Sequence, residues 1–176
     1  TAQKDIGERI SHIVLMGMGE PLDNFDNVMR FIELVTDERG VNISMRNISL
    51  STCGIIPGIN ELLDKHLQLT LSISLHAPDN EIRSQIMTVN KKYPVDDLLK
   101  VCRKYTKETS RRISFEYSML SGFNDTDECA KLLASKLKGM LCHVNLIPVN
   151  TVSGTGYKKS RIERQQSFID ILSQKG

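Results

Sequence analysis

The sequence predicts an α/β domain built on a parallel sheet, and three observations carry that expectation. Short apolar or alternating runs of strand length recur five times along the 176 residues. Each is followed by a segment with apolar residues at helical spacing. The intervening stretches leave room for right-handed crossovers between parallel strands. That rhythm fits either a doubly wound sheet or part of a barrel. No linker, low-complexity tract or charge block interrupts it, so residues 1–176 are expected to form a single domain.

The first strand is expected at His12–Met16, an apolar run that ends at Gly17 and Gly19. Asn24–Glu38 places Phe25, Val28, Met29, Ile32 and Val35 at helical spacing, with Asn24 as N-cap and Gly40 just past the end. Asn47–Ser51 is the second strand. Gly54–Gly58, with Pro57 inside it, reads as a turn, and Ile59–Lys65 as a short helix. Leu69–Leu75 is the third strand. Asp79–Met87 opens on a good cap, and Val95–Glu108 is a longer helix whose start suits Pro94. Ile113–Met119 alternates and is β-branched or aromatic, which makes it the fourth strand. Asp127–Leu137 is a helix capped by Asp125 or Thr126. Cys142–Ile147 is the fifth strand, Asn150–Gly156 a loop, and Arg161–Ser173 the last helix.

Composition narrows the function classes. An apolar content of 40% supports a core and 25% charged residues support a soluble surface. No run of about 18 apolar residues exists, so no membrane span is expected. The polar start, Thr1–Glu8, lacks a signal-peptide pattern, and the missing initiator Met suggests a piece of a longer protein. A net charge of +2 is compatible with a nucleic-acid partner without arguing for one. Cys53, Cys102, Cys129 and Cys142 match no zinc, disulfide or iron–sulfur spacing. They read as small apolar fillers in a reducing, cytoplasmic compartment.

In parallel α/β folds the ligand site collects at the carboxyl ends of the strands. Those positions hold Gly17–Leu22, Ser51–Gly54, Ser74–Pro78 and Pro148–Asn150, with Glu116 inside the fourth strand. Gly17 and Gly19 let backbone approach a ligand, with carbonyls able to accept from an ammonium group. Against that stands the plainer role of turning the chain into its helix, with Glu20 a solvated first-turn acid. His76 is the one histidine at a strand end; a packed, backbone-bonded histidine is the commoner fate, and no partners for a metal accompany it. Ser51 and Ser74 suit a carboxylate or a ribose hydroxyl, and Asn150 an adenine edge or a turn cap. No nucleophilic triad, Walker loop or dinucleotide fingerprint is present.

Taken in order, GMGEPL at Gly17–Leu22, LSTCGIIPGI at Leu50–Ile59, SLHAPDNEIRSQIM at Ser74–Met87, NKKYP at Asn90–Pro94 and NLIPVN at Asn145–Asn150 form a series. It resembles the RlmN and Cfr group of radical S-adenosylmethionine RNA methyltransferases, over nearly the whole chain. The resemblance implies a partial (βα)₆ barrel with about five βα units present. It implies cofactor contacts for Gly19 and Glu20 at the methionine amino group and for Ser51 near the methionine carboxylate or ribose. Ser74, Leu75 and His76 would line the ribose and adenine, and Asn150 would complete the pocket. The loop after Asn150 departs from the family's usual Asn-Pro start.

The same resemblance implies methylation of adenine carbon 2 in ribosomal RNA and transfer RNA, or carbon 8 in the Cfr branch. One cofactor molecule methylates a cysteine, and a second is cleaved to a radical that activates that methyl. A 4Fe–4S cluster on a CxxxCxxC loop supplies the electron, with a reductant such as flavodoxin or ferredoxin behind it. None of the family's five functional cysteines is in this sequence. The expectation is therefore a fragment, inactive alone, starting after the cluster loop and stopping before the C-terminal cysteine segment. Lys91-Lys92, Arg111-Arg112 and Lys158-Lys159-Arg161 are candidates for RNA phosphates, or ordinary solvated charges. A barrel with another acceptor and a non-catalytic α/β RNA-binding module are the competing expectations. The first strand's open edge is expected to favour self-association.

Overall fold

A computed structural model describes residues 5–150 and 156–175. Five strands, β1 (Ile13–Leu15), β2 (Ile48–Thr52), β3 (Thr70–Ser74), β4 (Ile113–Met119) and β5 (Cys142–Pro148), form one sheet in sequence order, every pair parallel. Sequence order decides between the two architectures left open above. A doubly wound sheet reverses direction at a switch point, whereas strands added always at the same edge by right-handed crossovers keep their helices on one face and curve as a barrel wall does. This sheet never reverses. It is a barrel segment of five βα units.

The helices are α1 (Phe25–Thr36), α2 (Ile56–Asp64), α3 (Asn80–Ile86), α4 (Val95–Thr109), α5 (Asp127–Leu137) and α6 (Ile162–Lys175). β4 and α5 coincide with their expected bounds, and the other strands lie within two residues of theirs. Thr126, not Asp125, caps α5, its hydroxyl accepting from Cys129 N. Asp79 caps α3 as expected, accepting from Ile82 N at 2.8 Å.

Two helix starts differ from expectation. Asn24 precedes α1, but its side chain makes no capping bond; it accepts instead from Asn27 Nδ2, and a 3₁₀ turn at Pro21–Asn24 leads in, with Glu20 as its cap. Pro57 and Gly58 lie inside α2 rather than in a turn before it. Proline is tolerated in a first helical turn. Gly58 is required by packing, since a Cβ there would approach Leu22 Cβ to 2.8 Å.

Period-two alternation gives the sheet two faces. Ile48, Leu50, Leu71, Ile73, Phe115 and Tyr117 point toward the helices and are fully buried. The opposite positions are small or polar: Ser49 and Ser51 on β2, Thr70, Ser72 and Ser74 on β3, and Ser114, Glu116 and Ser118 on β4, with His143 and Asn145 on β5. Register aligns Ser51 with Ser72, Ser72 with Ser114, and Ser114 with His143. No helix among the described residues is long and apolar enough to cross a membrane.

Candidate functional site

The carboxyl end of β1 has unusual backbone. Gly17, Met18 and Gly19 are consecutive residues at positive φ, 87°, 56° and 133°. None of their backbone groups bonds to another backbone group among the described residues, and a Cβ at either glycine would meet open space. All three are exposed. Solvent therefore satisfies their N–H and C=O groups, which leaves them free to exchange water for a ligand. Val14–Pro21, with Asn24 and Val28, line a groove of about 380 Å³ along that edge.

Glu20 ties this segment to the neighbouring strand. Its Oε1 accepts from Leu22 N at 3.1 Å and its Oε2 from Cys53 N at 2.7 Å. The carboxylate thus bridges the ends of β1 and β2 and is half-buried, not the solvated acid that was the plainer expectation. Cys53 is a poor nucleophile: burial first, then the Glu20 carboxylate, pushes its thiol up to about 12. Burial does the same to Cys102. The four cysteines lie on separate elements, at the end of β2, in α4, in α5 and in β5. No group of three metal-binding side chains exists among the described residues.

Ser51 and Ser74 lie on the inner face, Ser51 shielded within β2 and Ser74 half-buried at the end of β3, level with Glu116. Glu116 is 7% exposed and accepts from Ser114 Oγ at 2.8 Å and Asn145 Nδ2 at 2.7 Å. Because the one hydroxyl hydrogen of Ser114 goes to this carboxylate, the 3.1 Å contact with His143 Nε2 has the imidazole donating. Leu75 differs from its neighbours. Its side chain is in the core, its N–H donates to Glu116 O at 3.0 Å and its carbonyl accepts from Arg83.

His76 is the most constrained residue of the set. It sits at φ 59°, an uncommon conformation for a non-glycine residue. Its N–H donates to Glu116 O at 3.2 Å, its carbonyl accepts from Asn124 Nδ2 at 2.7 Å, and its Nδ1 accepts from Ser118 N at 3.0 Å. A backbone amide only donates, so Nδ1 is the bare nitrogen and Nε2 carries the proton. Burial, with the Arg83 charge adding to it, lowers the ring to about 4, while Glu116 opposes the shift. At neutral pH the ring is uncharged and presents one uncommitted donor, Nε2–H.

Asn150 follows β5 and is exposed, at the opposite edge of the sheet from Gly19. Most of the loop expected at 150–156 lies outside the described residues. Two residues that brace the strand ends escaped the sequence reading. Asn124, fully buried, holds both His76 O and Ser118 O, and Arg83 holds three strand-end carbonyls. Of the basic clusters, Lys91 and Lys92 stand just before α4, which returns from the carboxyl side of the sheet. Lys158 and Lys159 join the end of β4 through Ser121 and Leu120. Arg111 and Arg112 precede β4 and so lie at the other end.

Comparison with known proteins adds to this geometry. The model of the radical SAM superfamily matches residues 2–133. A protein of Clostridium acetobutylicum named "Probable dual-specificity RNA methyltransferase RlmN" is 55% identical over 171 residues, 97% of this chain and 50% of the relative. A protein of the same name from Lachnospira eligens is 52% identical, over 99% of this chain and 50% of its own length. The chain thus spans about half the length of the curated relatives it matches. The crystal structure of a radical SAM methyltransferase from Sphaerobacter thermophilus superposes with a TM-score of 0.94 at 40% identity, over 99% of this chain and 51% of that one. A domain of a pyruvate-formate lyase-activating enzyme from Bacteroides vulgatus reaches 0.72 at 20% identity, over 95% and 96% of the two chains, and so shares the fold.

Proposed function

The chain belongs to the radical SAM superfamily, and from that premise we propose that it is the barrel portion of an RlmN-type enzyme that methylates adenine carbon 2 in ribosomal RNA and transfer RNA. The observation that carries this reading is the 55% identity, across 97% of the chain, to a relative named for RNA methylation.

The strand ends fit S-adenosylmethionine. The free carbonyls between Gly17 and Gly19 suit its ammonium group, with Glu20 fixing that segment against β2. Ser51 and Ser74 offer hydroxyls for the carboxylate and ribose, and the Leu75 backbone spaces Ser74 from His76. His76 offers a neutral N–H donor toward the nucleoside, and Asn150 an amide for the adenine edge. When bound, the cofactor supplies the methyl group and the radical; this chain's residues orient it and keep the His76 proton on Nε2.

A 4Fe–4S cluster does not fit the residues here. The four cysteines sit on separate elements and share no cluster-binding spacing. The cluster, its reductant (a flavodoxin or ferredoxin) and the methyl-carrying cysteine are therefore assigned to the other half of such a protein, and the 176 residues alone are expected to be inactive. RNA phosphates suit Lys91, Lys92, Lys158 and Lys159, which share the carboxyl side with the cradle. The edge of β1, unpaired among the described residues, supports self-association of the isolated chain.

The test grafts this chain into the Clostridium acetobutylicum relative in place of the half it matches. After anaerobic reconstitution with iron and sulfide, the chimera is given large-subunit RNA and methyl-labelled S-adenosylmethionine. Label in 2-methyladenosine is expected. Label in 8-methyladenosine means a Cfr-like enzyme instead. No transfer, from a folded chimera beside an active parent, rejects the methyltransferase reading and leaves an RNA-binding module.

A further inference from the structure

Arg83 is fully buried, and no carboxylate pairs with it among the described residues. An ion without a counter-ion is costly to bury, so its contacts must justify its place. They converge on the strand ends. Nε donates to Leu75 O at 2.9 Å, and Nη2 donates to Cys53 O at 2.7 Å and to Ser74 O at 2.9 Å. Nη1 donates to Asn90 Oδ1 at 3.2 Å. Asn90 is itself held, its Nδ2 donating to Ser84 Oγ and Asn80 O. The guanidinium is therefore oriented from behind by α3 and its following turn.

These carbonyls belong to residues at or just past the ends of β2 and β3, where the ladder stops supplying partners. A planar fork with fixed donor directions holds three of them in one arrangement, which a single ammonium on a flexible stem does not reproduce. We propose that Arg83 is a positioning residue, locking the ends of β2 and β3 so that Ser51, Ser74 and His76 address one ligand together. The proposal rests on the reading of those residues as a cofactor cradle. Arg83 touches no ligand in this account. Its charge also faces His76, opposite that of Glu116, and helps hold the ring neutral. That keeps Nδ1 accepting from Ser118 and Nε2–H pointing outward as a donor.

The test uses the ¹⁵N-labelled chain as wild type, Arg83→Lys and Arg83→Met, titrated with S-adenosylhomocysteine and followed by NMR. Arg83→Lys is expected to fold, to shift the amide signals of Cys53, Gly54 and Ser74–Ala77 while those of Leu71 and Phe115 hold, and to bind at least tenfold more weakly. The His76 ring is expected to keep its low midpoint in Arg83→Lys, which retains the charge, and to titrate higher in Arg83→Met. A variant that melts lower but binds as wild type, with unmoved strand-end amides, overturns the proposal and makes Arg83 a packing residue only. If wild type fails to bind, the cofactor reading fails separately, and the amide shifts alone decide the clamp. Should Arg83→Met not fold, Asn90→Ala loosens the fork from behind: smaller shifts at the same amides support the clamp, and none overturns it.

Discussion

The two faces of the sheet are made of different matter. The outer face is Ile48, Leu50, Leu71, Ile73, Phe115 and Tyr117, packed against helices with essentially no exposure. The inner face, on the same strands and one residue out of phase, is serine, threonine and one glutamate. A closed barrel of this kind usually fills its interior with layers of branched apolar side chains. Here the interior positions forgo that packing. Stability is concentrated on one face, and the other is left small and polar, which suits the proposed ligand site. The carboxyl ends of the strands, where that polar face meets free backbone, are where the constrained residues gather.

The sharpest way to break this comparison is a matched pair on adjacent strands. Phe115→Ala empties an outer-face site and should lower unfolding free energy by about 3–5 kcal/mol. Ser72→Ala, on the inner face, should change it by less than about 1 kcal/mol. Urea denaturation of both variants reads this directly; equal losses would mean that the inner face carries packing after all.

A smaller effect tests the strand end. His76 has its folded midpoint lowered to about 4 from an ordinary 6.5, so the unfolded chain takes up the proton first. Stability contributed by the neutral ring is full above pH 6.5 and falls as pH drops toward 4, at up to about 1.4 kcal/mol per pH unit. Melting of wild type and His76→Gln between pH 7 and pH 4.5 should therefore converge on acidification. A constant gap would contradict a buried neutral ring.

Much of this was legible in the sequence, for reasons that differ by element. The strands could be found because alternation is a local property, and Ile113–Met119 carries it without a break. The inner-face serines and His76 could be nominated because parallel α/β sheets put ligands at strand carboxyl ends. Strand order was not legible, since periodicity does not say at which edge a new strand adds. Pro57 and Gly58 misled because the same dipeptide that marks turns also fits a first helical turn pressed against Leu22. Arg83 and Asn124 were invisible for a third reason. Their partners are backbone carbonyls up to 30 and 48 residues away, and such bonds leave no pattern in the chain.

The proposed cradle for S-adenosylmethionine is formed by the carboxyl ends of these strands. Calorimetric titration of the chain with S-adenosylhomocysteine tests it most directly. The account predicts saturable binding at one site, lost in His76→Ala and retained in Lys104→Ala on the outer surface of α4. No saturable heat, or binding indifferent to His76, would contradict it.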